Sequence, residues 1–147
     1  MLPSLRRALP DWVVFDVDLL AYDRQEVDWQ ELRASWVRVA FGVTLGRRPC
    51  LLCGLFWPPE LSRSDYYHRF SRVLYLVLTC RPEIREARLR ARNMSPEELQ
   101  QHMEYAQRLR RHADEQQLTV VDNSDEQPSV AADRIADWGR SLLGAWP

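Results

Sequence analysis

Four short apolar runs constrain this chain most: WVVF at residues 12–15, CLLC at 50–53, VLYLVL at 73–78 and LTVV at 118–121. Each is nearly continuous in apolar residues rather than alternating with polar ones. A strand built from such a run buries both faces, as in a parallel sheet covered by helices. Between the runs the apolar period lengthens to that of a helix. Trp29, Leu32, Trp36, Val39, Ala40 and Val43 form one stripe, expected to stop at Gly46 with Pro49 just beyond. Pro82 suits the first turn of a second helix running to about Arg92. Ser95 and Glu98 have the spacing of a capping box, opening a helix whose stripe is Leu99, Met103, Ala106, Leu109 and Ala113. A last helix is expected near Pro128, with Ala131, Ile135, Trp138 and Leu142 facing inward. Leu2, Leu5 and Leu9 sit at helical spacing before Pro10, so the chain opens on a helix with no strand in front of it.

Strands alternating with helices imply βαβ crossovers and a three-layer α/β/α sandwich around a parallel sheet. A length of 147 residues fits one domain over 1–147 with a real core. The balance of 46% hydrophobic and 28% charged residues is that of an ordinary globular chain. No signal peptide stands out, and no apolar run approaches the roughly 20 residues of a membrane span, so a cytoplasmic protein is expected.

Charge and cysteine usage narrow the chemistry. The formal net charge is −1, which gives no general attraction to nucleic acid or to an anionic membrane, and neither is expected as a partner. All 20 basic residues are arginine. The absence of lysine excludes Schiff-base chemistry and lysine general bases, and it removes the compact point charge often set against phosphate. The source genome's base composition is the plainer cause of that bias. Cys50 and Cys53 form a CxxC, but on a strand a three-residue offset sends the two side chains to opposite faces. No second cysteine or histidine pair completes a zinc site, and His68, His102 and His112 are scattered. Reduced core thiols are the better reading for Cys50, Cys53 and Cys80.

In open parallel sheets ligands bind beyond the carboxyl ends of the strands. After the first run comes Asp16-Val17-Asp18, after the second Gly54, after the third Thr79-Cys80-Arg81, and after the fourth Asp122-Asn123-Ser124-Asp125. Asp16 and Asp18 are the catalytic candidates. A carboxylate pair at a strand end holds a metal ion or accepts a substrate proton, although one of the two can equally close the turn. Arg85, Arg88 and Arg92 recur along the second helix. They would clamp phosphate oxygens or, more plainly, line a solvated face paired with Glu83 and Glu86.

Taken in order, these segments resemble a known family. VLYLVLTCRPEIREARLRAR resembles the fourth strand of P-loop kinases and the helix leading into their mobile lid. VVDNSDEQPSVAADRIADW is similar to their fifth strand, adenine-side loop and last helix. FDVDLL looks like the second strand and its substrate-side aspartate in shikimate-, gluconate- and chloramphenicol-kinase-like proteins, and GRRPCLLCG resembles the third strand. The likeness covers nearly the whole chain. It implies ATP and Mg²⁺ as cofactors and a small hydroxylated molecule or nucleoside as substrate. By that resemblance Asp18 faces the substrate hydroxyl, and Asp16 lies near magnesium and the γ-phosphate. Arg88 and Arg92 are lid arginines within a lid-like region 81–115, and Asn123 and Ser124 lie near the adenine. Tyr22, Phe56 and Trp57 wall a substrate pocket or pack in the core, whereas Trp29 reads as core. Substrate choice would rest on variable segments such as 22–28 and 56–69.

P-loop kinases open with a strand, then GxxxxGK[ST], then a helix. The loop's N–H groups cradle the phosphates and its lysine reaches the β and γ groups. Here the first glycine is Gly42, inside a helical pattern, and the opening MLPSLRRALPDW corresponds to the helix after that loop. The sequence therefore reads as N-terminally truncated, short of about one strand and an eight-residue loop. No phosphate transfer is expected without that cradle. In this family the missing strand is central, between the third and fourth, so its loss is expected to leave a broken sheet open to self-association. The alternative from another class is a non-catalytic protein that reuses the scaffold to bind a small ligand or a partner. Nucleic-acid binding through arginines 85–92 and 108–111 is disfavoured by the acidic residues interleaved with them.

Overall fold

The computed structural model describes residues 1–21 and 27–143. They gather into two compact units, Met1–Val73 and Leu74–Pro147. The chain is a mixed α/β protein whose strands form two two-stranded parallel sheets.

In the first unit α1 (Leu2–Ala8) leads into β1 (Val13–Asp16) and a 3₁₀ turn (Val17–Leu20). Next come α2 (Trp29–Leu45), β2 (Cys50–Cys53), α3 (Pro58–Leu61) and a second 3₁₀ turn (Tyr67–Arg69). β1 and β2 are parallel, with Val13 opposite Cys50 and Asp16 opposite Cys53. The Arg48 guanidinium ties the start of the ladder by donating to the carbonyls of Pro10, Asp11 and Trp12. The buried residues of α2 are Leu32, Trp36, Val37 and Ala40. At about 100° per residue, that arc takes in Val37 and leaves Val39 outside it, correcting the stripe read from the sequence. Trp29, also expected in the core, occupies the first helical position and is 49% exposed, because the core ends a turn beyond it. Asp28 starts the helix by accepting hydrogen bonds from the N–H groups of Gln30 and Glu31 at 2.9 and 3.0 Å. The stop falls at Gly46 as expected, but the left-handed residue is Arg47, with φ 57°.

The second unit contains β3 (Leu76–Thr79), α4 (Pro82–Arg90), α5 (Pro96–Glu115), β4 (Thr119–Asp122) and α6 (Pro128–Leu143). β3 and β4 are parallel, with Leu76 opposite Thr119 and Thr79 opposite Asp122. α5 opens on the expected capping box: Ser95 Oγ accepts from Glu98 N–H, and Glu98 Oε2 accepts from Ser95 N–H. Hydrogen bonding to the Ser95 backbone and side chain holds the Glu98 carboxyl below its usual pKa. Ala131, Ile135 and Ala136 of α6 are buried, and Trp138 Nε1 donates to Thr119 Oγ1 at 3.0 Å.

All four β2 residues are half-buried, and Leu78 of β3 is 37% exposed. Burial of both strand faces, the expectation from the apolar runs, is therefore incomplete among the described residues. Among them too, no helix is long and apolar enough to cross a membrane.

Candidate functional site

Parallel pairing gathers the carboxyl ends of the strands in each unit, and most of the sequence-derived candidates fall there. In the first unit Asp16 is the last residue of β1, and its Oδ1 accepts the Asp18 N–H at 3.2 Å. Asp16 thus caps the 3₁₀ turn that follows it, the role set against catalysis in the sequence reading. Asp18 lies one residue into that turn. Partial burial, then the charge of Asp16, raises its carboxyl pKa. The turn is held from below by the buried Trp36, whose Nε1 donates to the Val17 carbonyl at 2.8 Å.

Cys53 lies opposite Asp16, and burial pushes its thiol up to about 11, Asp16 adding to the effect while Arg6 and the amino terminus oppose it. Burial pushes Cys50 up to about 12. Both are free thiols held in their protonated form at neutral pH. A side chain on Gly54, the next residue, would collide with Val17, so the close approach of the two strand ends requires glycine there.

Phe56 packs against the cluster of Val17, Leu32 and Trp36, together with Phe15, Ala21, Val27 and Leu52. Trp57 is the half-buried N-cap of α3. Tyr22 lies outside the described residues. A cavity of about 380 Å³ lies elsewhere, lined by Glu86, Arg90, Met94, Leu99 and Met103, and none of the candidates borders it.

At the carboxyl ends of β3 and β4, arginines and carboxylates form a closed network. Arg81 makes a two-pronged contact with the Asp125 carboxylate at 2.6 and 2.7 Å and lies 3.1 Å from Glu83. Arg85 donates to Thr79 Oγ1 at 3.1 Å. Arg88 donates to Asn123 Oδ1 and to the Asn123 carbonyl, each at 3.0 Å, and to the Ser124 carbonyl at 3.4 Å. Ser124 Oγ accepts the Arg81 N–H at 2.7 Å. Hydrogen bonds from the Ser124 side chain and backbone hold the Asp122 carboxyl below its usual pKa. The face of α4 turned to the strand ends thus carries Arg81, Arg85 and Arg88. Arg90 instead pairs with Glu86 along the exposed side at 2.7 Å. Arg92 lies beyond the end of α4 and is exposed.

The structure therefore brings Arg88 together with Asn123 and Ser124, and Asp16 with Asp18. Among the described residues no three histidine, cysteine or acidic side chains come together as a metal site. The sequence reading passed over a cluster in the first unit, where Arg38 and Arg69 lie against the Tyr66 ring. Its signal was the basic and aromatic interleaving of RSDYYHRFSR at residues 63–72. Compared with known proteins, the sequence matches no protein-family model and no curated protein.

Proposed function

We propose that residues 1–147 form the greater part of a P-loop kinase-like domain, related to ATP-dependent phosphotransferases acting on a small hydroxylated molecule or nucleoside, and that these residues alone do not transfer phosphate. One observation carries the family reading. The parallel ladders are β1 with β2 and β3 with β4. These are the neighbours that a kinase-like three-layer sandwich retains when its central strand is left out. In the family the absent strand would lie beside β2 and β3.

The residues present do not fit ATP and Mg²⁺ well. Residues 1–147 hold no glycine-rich GK[ST] loop and no lysine. Asp16 already accepts a turn hydrogen bond, and Arg88 is engaged by Asn123 and Ser124. Phosphoryl transfer in this class is almost entirely phosphate positioning and charge stabilisation, and in acyl-transfer enzymes loss of a single stabilising donor costs on the order of 10²–10³ in rate. Calorimetry with ATP–Mg²⁺ on residues 1–147 is expected to show no binding. A version extended upstream through an in-frame glycine-rich GK[ST] segment is expected to bind ATP and to transfer or hydrolyse phosphate. Tight ATP binding by residues 1–147 alone would overturn this account.

The engagement of Asp16 and Arg88 in internal hydrogen bonds also favours a second reading, a non-catalytic protein that keeps the scaffold to bind a small ligand or a partner. An upstream reading frame without a GK[ST] segment would decide for it.

A further inference from the structure

We propose that Arg38, Tyr66 and Arg69 form a binding site for a small-molecule phosphate monoester on the first unit. The site uses none of the residues that follow the strands and does not depend on the kinase reading. Its floor is aromatic and fixed. Phe41 of α2 lies 5.7 Å from the Tyr66 ring and 5.7 Å from the Phe70 ring, the second contact edge-on. Tyr66 is thereby held just ahead of the 3₁₀ turn that carries Arg69. One turn back along α2 from Phe41, Arg38 places its guanidinium carbon 5.7 Å from the Tyr66 centroid, and that of Arg69 lies 5.4 Å from it.

Two cations against one ring are unusual company. Because both distances are to the same centroid, the two charges are no more than about 11 Å apart, against a Debye length of about 8 Å at physiological salt. Neither takes part in an ion pair with a described residue. Among the described residues Arg33 pairs with Glu60, and Asp65, the carboxylate nearest Arg69 in sequence, is exposed. A guanidinium held near a ring by its charge still has N–H donors for another partner. Both arginines are exposed, and in the proposed site their forks turn toward one common ligand. A phosphate monoester dianion has three terminal oxygens and two charges to match two forks, whereas a carboxylate has one charge and two oxygens.

The test is a ¹H–¹⁵N NMR titration of residues 1–147 with phenyl phosphate at low salt, beside the same titration with benzoate. Saturable shifts are expected at residues 38, 66 and 69 with phenyl phosphate and not with benzoate over the same range. Arg38→Gln and Arg69→Gln should each weaken the response roughly tenfold, the scale of one charge-assisted hydrogen bond, and Arg140→Gln should leave it unchanged. Each variant replaces an exposed side chain, and its own spectrum reports whether the fold is kept. Non-saturating shifts, equal saturation by benzoate, or wild-type affinity in both Arg38→Gln and Arg69→Gln would overturn the site. A negative ATP experiment leaves this outcome untouched, so the two proposals fail separately.

Discussion

The thiols of Cys50 and Cys53 show how a single position responds to the fold around it. A CxxC invites a redox or metal reading, yet a strand sends the two side chains to opposite faces, and burial holds their pKa values at about 12 and about 11. In the unfolded chain both would titrate near 8.5. The native state therefore keeps its thiol protons over a range where the unfolded state loses them. Stability contributed by these protons is complete below that unfolded value and declines as pH rises toward the native values. Each thiol accounts for a slope of at most about 1.4 kcal/mol per pH unit. Urea midpoints are expected to fall between pH 8.5 and pH 10, and Cys53→Ala should flatten the decline. A level profile for the unsubstituted protein would contradict the burial of these groups. The spacing of the pair was legible in the sequence, but not the proximity of Asp16 and Arg6, because register alone sets Cys53 opposite Asp16.

Helix ends were the most legible feature at the scale of elements, since a cap is a local bargain between a few backbone groups and one side chain. The Ser95 capping box was readable for that reason. The end of α5 was not. There Leu118 N–H returns to the Ala113 carbonyl at 2.8 Å and Gln117 N–H to the Asp114 carbonyl at 3.3 Å, the paired bonds of a Schellman motif. Gln117 adopts φ 52° to allow them, a conformation that costs a residue with a Cβ about 1–2 kcal/mol. Gln117→Gly should remove that strain and lose part of the gain to unfolded-chain entropy, for a net stabilisation of about 0.5–1 kcal/mol in chemical denaturation. A loss of stability would mean that the glutamine side chain contributes more than its backbone costs. Helix faces were harder to read. The α2 stripe drifted from Val39 to Val37 because apolar residues lie all along that helix, and only its neighbours decide which arc is covered.

At the scale of the molecule, two-stranded parallel ladders leave backbone N–H and C=O groups without strand partners, and β2 adds four half-buried apolar positions to its edge. Such edges recruit further strands. Sedimentation equilibrium of residues 1–147 is accordingly expected to give a weight-average mass that rises with concentration above that of the monomer. A mass that stays at the monomer value at every concentration would count against open edges. The sequence by itself determined the order of the strands and long helices, the Ser95 cap and the Gly46 stop, and the gathering of chemically able residues just past the strands. These depend on apolar period, proline, glycine and capping side chains, all of them interactions within a few residues of chain. Tertiary structure alone decided which strands pair, that Arg88 turns to Asn123 and Ser124, and that Arg38 and Arg69 meet at Tyr66. The physical reason is separation along the chain. Arg88 and Asn123 lie 35 residues apart, and no local pattern records which distant donor will meet which acceptor once the backbone has folded.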